Sequence, residues 1–378
     1  MKTLTRAALF LGAILLHGAT LAMASHLIFL GTYTRNGSRG IYAVRLDPET
    51  GALSAPQLAA ETPNPAWITL SPDRKFLYAI HESSAQATGF SVDAASGTLT
   101  PLPRGTGADA TFAGQKANPP SHLAVDATGR ALLAANYRDG YVATIPIHAD
   151  GTLGAPRLTR HEGKGPHPAR QDRPHAHSVT MAPDNRFVMV CDLGVDKIFI
   201  YALDPAAARV TPGNPAFVAT EPGAGPRHFK FGASGRHAYA INELNSTVAA
   251  YSYNGANGAL TSRQIASTLP PDFKGDNSTA EVRVHPNGKF LYGSNRGHDS
   301  IAVFAIDAGN GRLTPIEITA SGGKTPRNFA LSPDGRWLVC GHQDSPILTV
   351  FRVDPATGRL SATPHTANVP VCVCVQFY

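Results

Sequence analysis

At 378 residues the chain is long enough to bury a large core, and its 36 Gly and 30 Pro make it turn-rich. No stretch is both long enough and charged enough to be excluded from folding. The formal net charge of +6 carries no Lys/Arg block, which excludes nucleic acid as the natural partner and leaves small anions as the better match.

In chain order, the first element is a targeting segment. Lys2 and Arg6 precede the apolar run AALFLGAILLHGATLA, which is short for a membrane span. AMAS then places Ala22 and Ala24 in the small-x-small pattern that signal peptidase cleaves. Residues 1–24 therefore read as a signal peptide and 25–378 as one exported, periplasmic domain. A membrane anchor is the competing reading, but no stop-transfer flank follows. Losing Lys2 and Arg6 takes the charge from +6 to +4.

Beyond Ser25 the sequence repeats. LDPETGAL (46–53) is followed by VDAASGTL, IHADGTL, LDPAAARV, YNGANGAL, IDAGNGRL and VDPATGRL, seven copies whose last residues lie 46 to 57 apart. Each is a polar turn between two short strand-like runs, which is a hairpin signal. A second unit interleaves with the first: SPDRKFLY (71–78), DATGRALL, APDNRFVM, GASGRHAY, HPNGKFLY and SPDGRWLV. It has six copies. Two hairpin turns per repeat make four strands, A to D, and that is a propeller blade. The missing A–B turn belongs to the first repeat, which begins at strand B with HLIFLGTY. The C-terminal VPVCVCVQFY matches the other A strands, so it is expected to complete the first blade and close the ring, removing exposed sheet edges. The expected fold is all-β: a seven-bladed β-propeller of four-stranded antiparallel blades. No sustained 3.6-residue period supports helices. The four cysteines, 191, 340, 372 and 374, sit in apolar strand-like runs and read as buried free thiols; Cys372 and Cys374, two apart, are expected on one face.

In a propeller the A strands line the central channel, and the start of A shares a face with the end of B. Aligned on the A–B turns, the residues before strand A are Ala66, Ser121, His177, Arg227, Ala280, Arg327 and Val371. The next are Trp67, His122, Ser178, His228, Glu281, Asn328 and Cys372. Strand B ends in Thr32, His81, Asn136, Asp192, Asn242, Asn295 and His342, followed by Tyr33, Glu82, Tyr137, Leu193, Glu243, Arg296 and Gln343. Arg227 and Glu243, sixteen apart within GPRHFKFGASGRHAYAINEL, thus fall at the same end of one hairpin. Three long loops, roughly 100–118, 154–176 and 261–279, open on this same mouth, the second rich in Arg and His. Polar residues and long loops converging on one face mark a ligand site. The bland alternatives are a structural Arg227–Glu243 ion pair, a loop-bonding His177, and structural pairing of Glu82 or Asp192 with a mouth arginine. His161, His167, His175 and His177 lack regular ligand spacing, so no metal is assigned. Neither a phosphate loop nor a nucleophile elbow is present.

Arginine forks hold carboxylate or phosphate and stabilise a developing oxyanion, and a nearby carboxylate can deprotonate water. These parts suit metal-free opening of an activated ester or lactone, and proton transfer beside a carboxylate equally well. The stretches RPHAHSVTMAPDNRFVMVCDLGVDKIFIY, GAGPRHFKFGASGRHAYAINELNSTVAAY, TAEVRVHPNGKFLYGSNRGHDSIAVF and TPRNFALSPDGRWLVCGHQDS resemble the lactonase family of seven-bladed propellers, which includes propeller-type 6-phosphogluconolactonase and is related to fungal carboxymuconate lactonising enzyme. The resemblance spans the whole mature chain. It implies a sugar-lactone hydrolase without a cofactor, with His177 (or His175 in another register), Arg227, Glu243 and Arg296 in the active site. Glu243 or His177 is then expected to activate water, while Arg327, His122, His228 and His175 serve the substrate. The partner is a small anionic or sugar-lactone substrate, acted on by a monomer that binds neither nucleic acid nor membrane. Export argues for an unphosphorylated sugar lactone. A lactone-forming muconate cycloisomerase and a non-catalytic binding propeller are the rival functions.

Overall fold

The structure is a computed structural model that describes residues 25–84, 86–103 and 118–378. The expected signal peptide and most of the 100–118 loop lie outside the described residues. Among the described residues, no helix is long and apolar enough to cross a membrane.

Twenty-eight strands form seven four-stranded sheets among the described residues, and the strands within each sheet pair antiparallel. The first blade runs β28 (Cys372–Phe377), β1 (His26–Thr32), β2 (Gly40–Leu46), β3 (Gln57–Glu61) from the axis outward. The C-terminal strand therefore closes the ring, as its apolar A-like sequence requires. The other innermost strands are β4 (Pro65–Leu70), β8 (His122–Val125), β12 (Ala176–Met181), β16 (Pro226–Phe231), β20 (Ser278–Val284) and β24 (Pro326–Leu331). Each packs against the next around the axis, and β28 against both β24 and β4.

The core lies between blades, where alternate residues of facing sheets interlock. Val188, Val190 and Tyr201 of the fourth blade meet Leu133, Ala135 and Val142 of the third, and the pattern recurs around the ring. The two sequence repeats are coupled across these seams. The hydroxyls of Tyr78, Tyr239 and Tyr292 donate to the carbonyls of Gly151, Gly311 and Gly358 in the next blade's C–D turn, at 3.1, 3.0 and 2.9 Å. Gly311 and Gly358 have φ of 73° and 74°, which a side chain resists, and a Cβ there would press into His237 or Phe290. At the closure, where Val339 stands at the tyrosine position, Trp337 two residues earlier bridges the seam instead, its Nε1 donating to Pro48 O at 2.9 Å.

The sequence gives no sign of the irregularity that matters most. The A–B pairing slips at Ala66, His177, Arg227 and Arg327, and again within β20 and at Val373. A bulge inserts one unpaired residue and re-aims its side chain. The slip corrects three expectations. Val373, not Val371, is the last blade's counterpart of Arg227, because Thr32 pairs with Cys372 and Gly31 with Cys374. Cys372 and Cys374 flank that bulge, so they do not share a face: Cys372 packs toward the seventh blade and Cys374 toward Ile68. The stretch 261–279 is only partly loop, since β19 (Ala259–Ser267) runs into it. All four cysteines are free and buried, as their apolar neighbours imply.

Candidate active site

The bulges and the B-strand ends open into a cavity of about 610 Å³ at one mouth of the channel. Its walls include His175, His177, Arg227, His228, Glu243, Arg296 and Arg327, so seven of the eight expected site residues meet there. His122 is the exception. It lies beside the cavity, 2 % exposed, with its ring 4.0 Å from that of Trp67 and 5.3 Å from His228.

Glu243 is the hub. Its Oε2 accepts from Arg227 Nε at 2.8 Å and lies 3.0 Å from Arg296 Nη2, while Oε1 accepts from Arg170 Nη2 at 2.5 Å. It is 4 % exposed. Burial alone would raise its pKa, but Arg296, Arg227, His177 and Arg170 outweigh burial and hold the carboxyl well below the usual range. Arg227 is held in turn by Ala280 O at 2.6 Å and touches His228 Nε2 at 3.2 Å, leaving Nη2 uncommitted. Burial and Arg296 push its pKa down to about 9, so it stays charged at neutral pH. Arg296 donates to Thr279 O at 2.7 Å, and its buried Nε has no partner.

His177 sits on its bulge with Nε2 4.0 Å from Glu243 Oε2, too long for a hydrogen bond, and with Nδ1 buried and unpartnered. Burial, Arg227 and His228 hold its pKa well below the ordinary imidazole value, so the ring is neutral at pH 7. His228 is depressed likewise, first by burial and then by Arg227. Its Nδ1 lies 3.2 Å from Glu281, whose other contacts, Asn328 Nδ2 at 2.5 Å, Val282 N at 3.1 Å and Arg283 Nε at 3.5 Å, leave it a structural carboxylate below the mouth. His175 is a positioning group: Nδ1 bonds Tyr137 O at 2.7 Å, Nε2 bonds Asp172 at 3.2 Å, and the ring stacks on Tyr137 at 4.4 Å. The register that favours His177 over His175 is therefore the one whose imidazole nitrogen remains uncommitted.

Among the described residues, the half-buried Arg327 has no hydrogen bond or ion pair, and it lies over the Tyr33 ring at 5.8 Å. The lining set holds six arginines, 138, 170, 173, 227, 296 and 327, against Glu82 and Glu243, a balance of +4 from six minus two. Such a field concentrates small anions and anionic transition states.

One expectation needs correcting here. Asp192 pairs with no mouth arginine. It takes His161 Nδ1 at 2.6 Å and the backbone N–H groups of His175 and Gly194, and so braces the start of β12. His161 is thereby separated from the mouth, stacked on Phe199 at 3.8 Å. Among the described residues, no group of three His, Cys, Asp or Glu is arranged to hold a metal ion. Arg170 was missed. Its only sequence signal was the Arg/His richness of its loop, because nothing in TRHEGKGPHPARQDRPHAHS says which arginine turns inward.

Over residues 27–377 the chain matches the family described as lactonase, 7-bladed beta-propeller. It is 37 % identical over 360 residues to a 6-phosphogluconolactonase of Bacillus subtilis (strain 168), covering 94 % of this chain and 99 % of the relative. Its fold superposes on the Pseudomonas aeruginosa periplasmic gluconolactonase with a TM-score of 0.85 and 33 % identity, over 94 % of this chain and 99 % of that one. A putative 6-phosphogluconolactonase from Bacteroides fragilis gives a TM-score of 0.85 at 32 % identity, over 95 % and 99 %. The chain belongs to the lactonase family of seven-bladed β-propellers. It is an enzyme of the lactonase class.

Proposed function

We propose that the mouth hydrolyses a sugar lactone without a metal, with His177 as the base and Glu243 as the organiser of three arginines. The carrying observation is the contrast between these two neighbours. Glu243 has both oxygens occupied by guanidinium groups, which makes it a weak base. His177 is neutral, lines the cavity, and has an Nε2 that makes no hydrogen bond among the described residues. With the enclosed Nδ1 carrying the ring proton, Nε2 carries the lone pair and accepts a proton from water as the oxygen attacks the lactone carbonyl. The uncommitted N–H groups of Arg227 and Arg296 stabilise the tetrahedral oxyanion. Collapse breaks the ring C–O bond, and His177 returns its proton to the leaving ring oxygen, giving the hydroxy acid. Arg327 supplies a free cation for a negative or strongly polar part of the substrate.

Export by residues 1–24 is part of this reading, and with it an unphosphorylated aldonolactone as the natural substrate. The test is a pH-indicator assay on chelated protein beginning at Ser25, with glucono-δ-lactone and 6-phosphogluconolactone side by side, corrected for spontaneous opening. The reading expects activity that survives chelation, favours the neutral lactone and falls by about 10²–10⁴ in His177→Ala. Full activity in that variant would remove His177 as base. Inactivity on both lactones with turnover of a muconate would replace the reaction by cycloisomerisation.

A further inference from the structure

Arg170 reaches Glu243 from a loop, yet a long arginine on a surface loop is ordinarily a poor clamp, because ordering it opposes side-chain entropy. Something must hold its backbone. The next residue, Gln171, is fully buried and bonded on every side. Its Nε2 donates to Leu193 O at 2.8 Å and to Asp196 Oδ1 at 2.7 Å, and its Oε1 accepts from His167 N at 3.0 Å. Its backbone N donates to His167 O, and its carbonyl accepts from Gly165 N. The loop thus wraps around one amide side chain.

Asp196 is the other end of the connection. It sits in a turn at φ 52°, 7 % exposed. Besides Gln171, its oxygens accept the N–H of Gly225 at 2.8 Å and of Gly223 at 2.7 Å. Gly225 has φ 62° and leads through Pro226 into the Arg227 bulge. Its carbonyl accepts the backbone N–H of Glu243 at 2.8 Å. One carboxylate therefore links the loop bearing Arg170, the segment bearing Arg227 and the backbone of Glu243. Among the described residues, no cationic side chain pairs with Asp196 to account for its burial there.

We propose that Asp196 and Gln171 form a positioning strut for the lactone-opening reaction, fixing Arg170 against Glu243 before substrate arrives. The inference rests on the lactonase reading of the mouth. Neither residue touches the cavity; Gln171 acts through Arg170, and Asp196 acts through Arg170 and through the segment that leads to Arg227. Preorganised cations stabilise developing charge because they need not reorient during reaction.

A double-mutant cycle tests this, using the whole mature protein, kcat and KM on the best lactone, and melting temperature. Arg170→Ala should lower kcat about 100-fold. Gln171→Ala should lower kcat about tenfold with little change in KM, because the arginine remains but samples other positions. In an Arg170→Ala background, Gln171→Ala should change kcat by less than about twofold while still lowering the melting temperature. Asp196→Asn should lower kcat as well, but keep part of that loss in the Arg170→Ala background, because Asp196 also holds the segment before Arg227. A purely structural strut would lower kcat equally in both backgrounds, and that result would overturn the proposal. So would an unchanged kcat in Gln171→Ala with Arg170 present. Should Gln171→Ala fail to fold, Gln171→Met keeps the length without the amide and enters the same cycle. A wild-type protein that opens no lactone would instead refute the functional reading, leaving the two failures distinct.

Discussion

The two ends of the same A–B hairpins obey different rules. At the turn end, polar side chains first serve their own turn, even where they also touch the next blade, as Asp126 does through Asn185 Nδ2 at 3.0 Å. Asp126 Oδ1 accepts the N–H groups of Arg130 and Ala131 at 2.8 Å, and Ser332 and Asp334 close a similar turn around the Trp337 N–H. At the mouth, polar groups reach across blades. Glu243 meets Arg170, seventy-three residues away, and Arg296 of the next blade. Imidazole and guanidinium nitrogens there are buried without partners. Local satisfaction is what stability requires. Distant convergence with atoms left over is strained by comparison, and it persists where a substrate completes it.

The largest effect should come from breaking the hub. Glu243→Gln leaves three guanidinium groups around a neutral amide. Turnover should fall by about 10²–10³, and stability by about 3–5 kcal/mol, read by steady-state assay and chemical denaturation. Full turnover in this variant would show that the arginine cluster needs no organiser.

A second effect sharpens the contrast through pH. His122, His177 and His228 are each held well below the ordinary imidazole pKa, burial first and neighbouring cations next. Between the folded and unfolded pKa values the unfolded chain binds more protons. Stability is therefore complete above about pH 6.5 and drains away below it, with a limiting slope of about 1.4 kcal/mol per pH unit for each imidazole. Melting curves from pH 8 to pH 5 should show this. His122→Phe, beside the cavity, should make the slope shallower, and an unchanged slope would exclude His122 from the effect. Glu243 adds its own loss only below the normal carboxylate range, because its folded pKa is depressed.

The smallest effect lies at the turn end. Asp126→Ala should cost about 1–3 kcal/mol in denaturant unfolding, through the lost turn bonds, while leaving kcat and KM unchanged. A matching loss of activity would mean that the two ends are not independent.

Much of the architecture was legible because it is local. Polar turns at fixed offsets, two-residue alternation and a first repeat lacking its A–B turn dictate seven four-stranded blades and a ring closed by the C-terminal strand. The Arg227–Glu243 encounter was legible for the same reason: both belong to one hairpin whose register the turn sets. What the sequence left open depends on groups far apart in the chain. A bulge has no compositional mark, so the re-aiming of His177, Arg227 and Arg327, and the displacement of Val373, were decided by blades packing around the axis. The path of the 161–175 loop was decided by the buried contacts of Gln171 and Asp196, which select Arg170 from several loop arginines. The weak basicity of Glu243 likewise exists only once three arginines from separate elements have been gathered around one buried carboxylate.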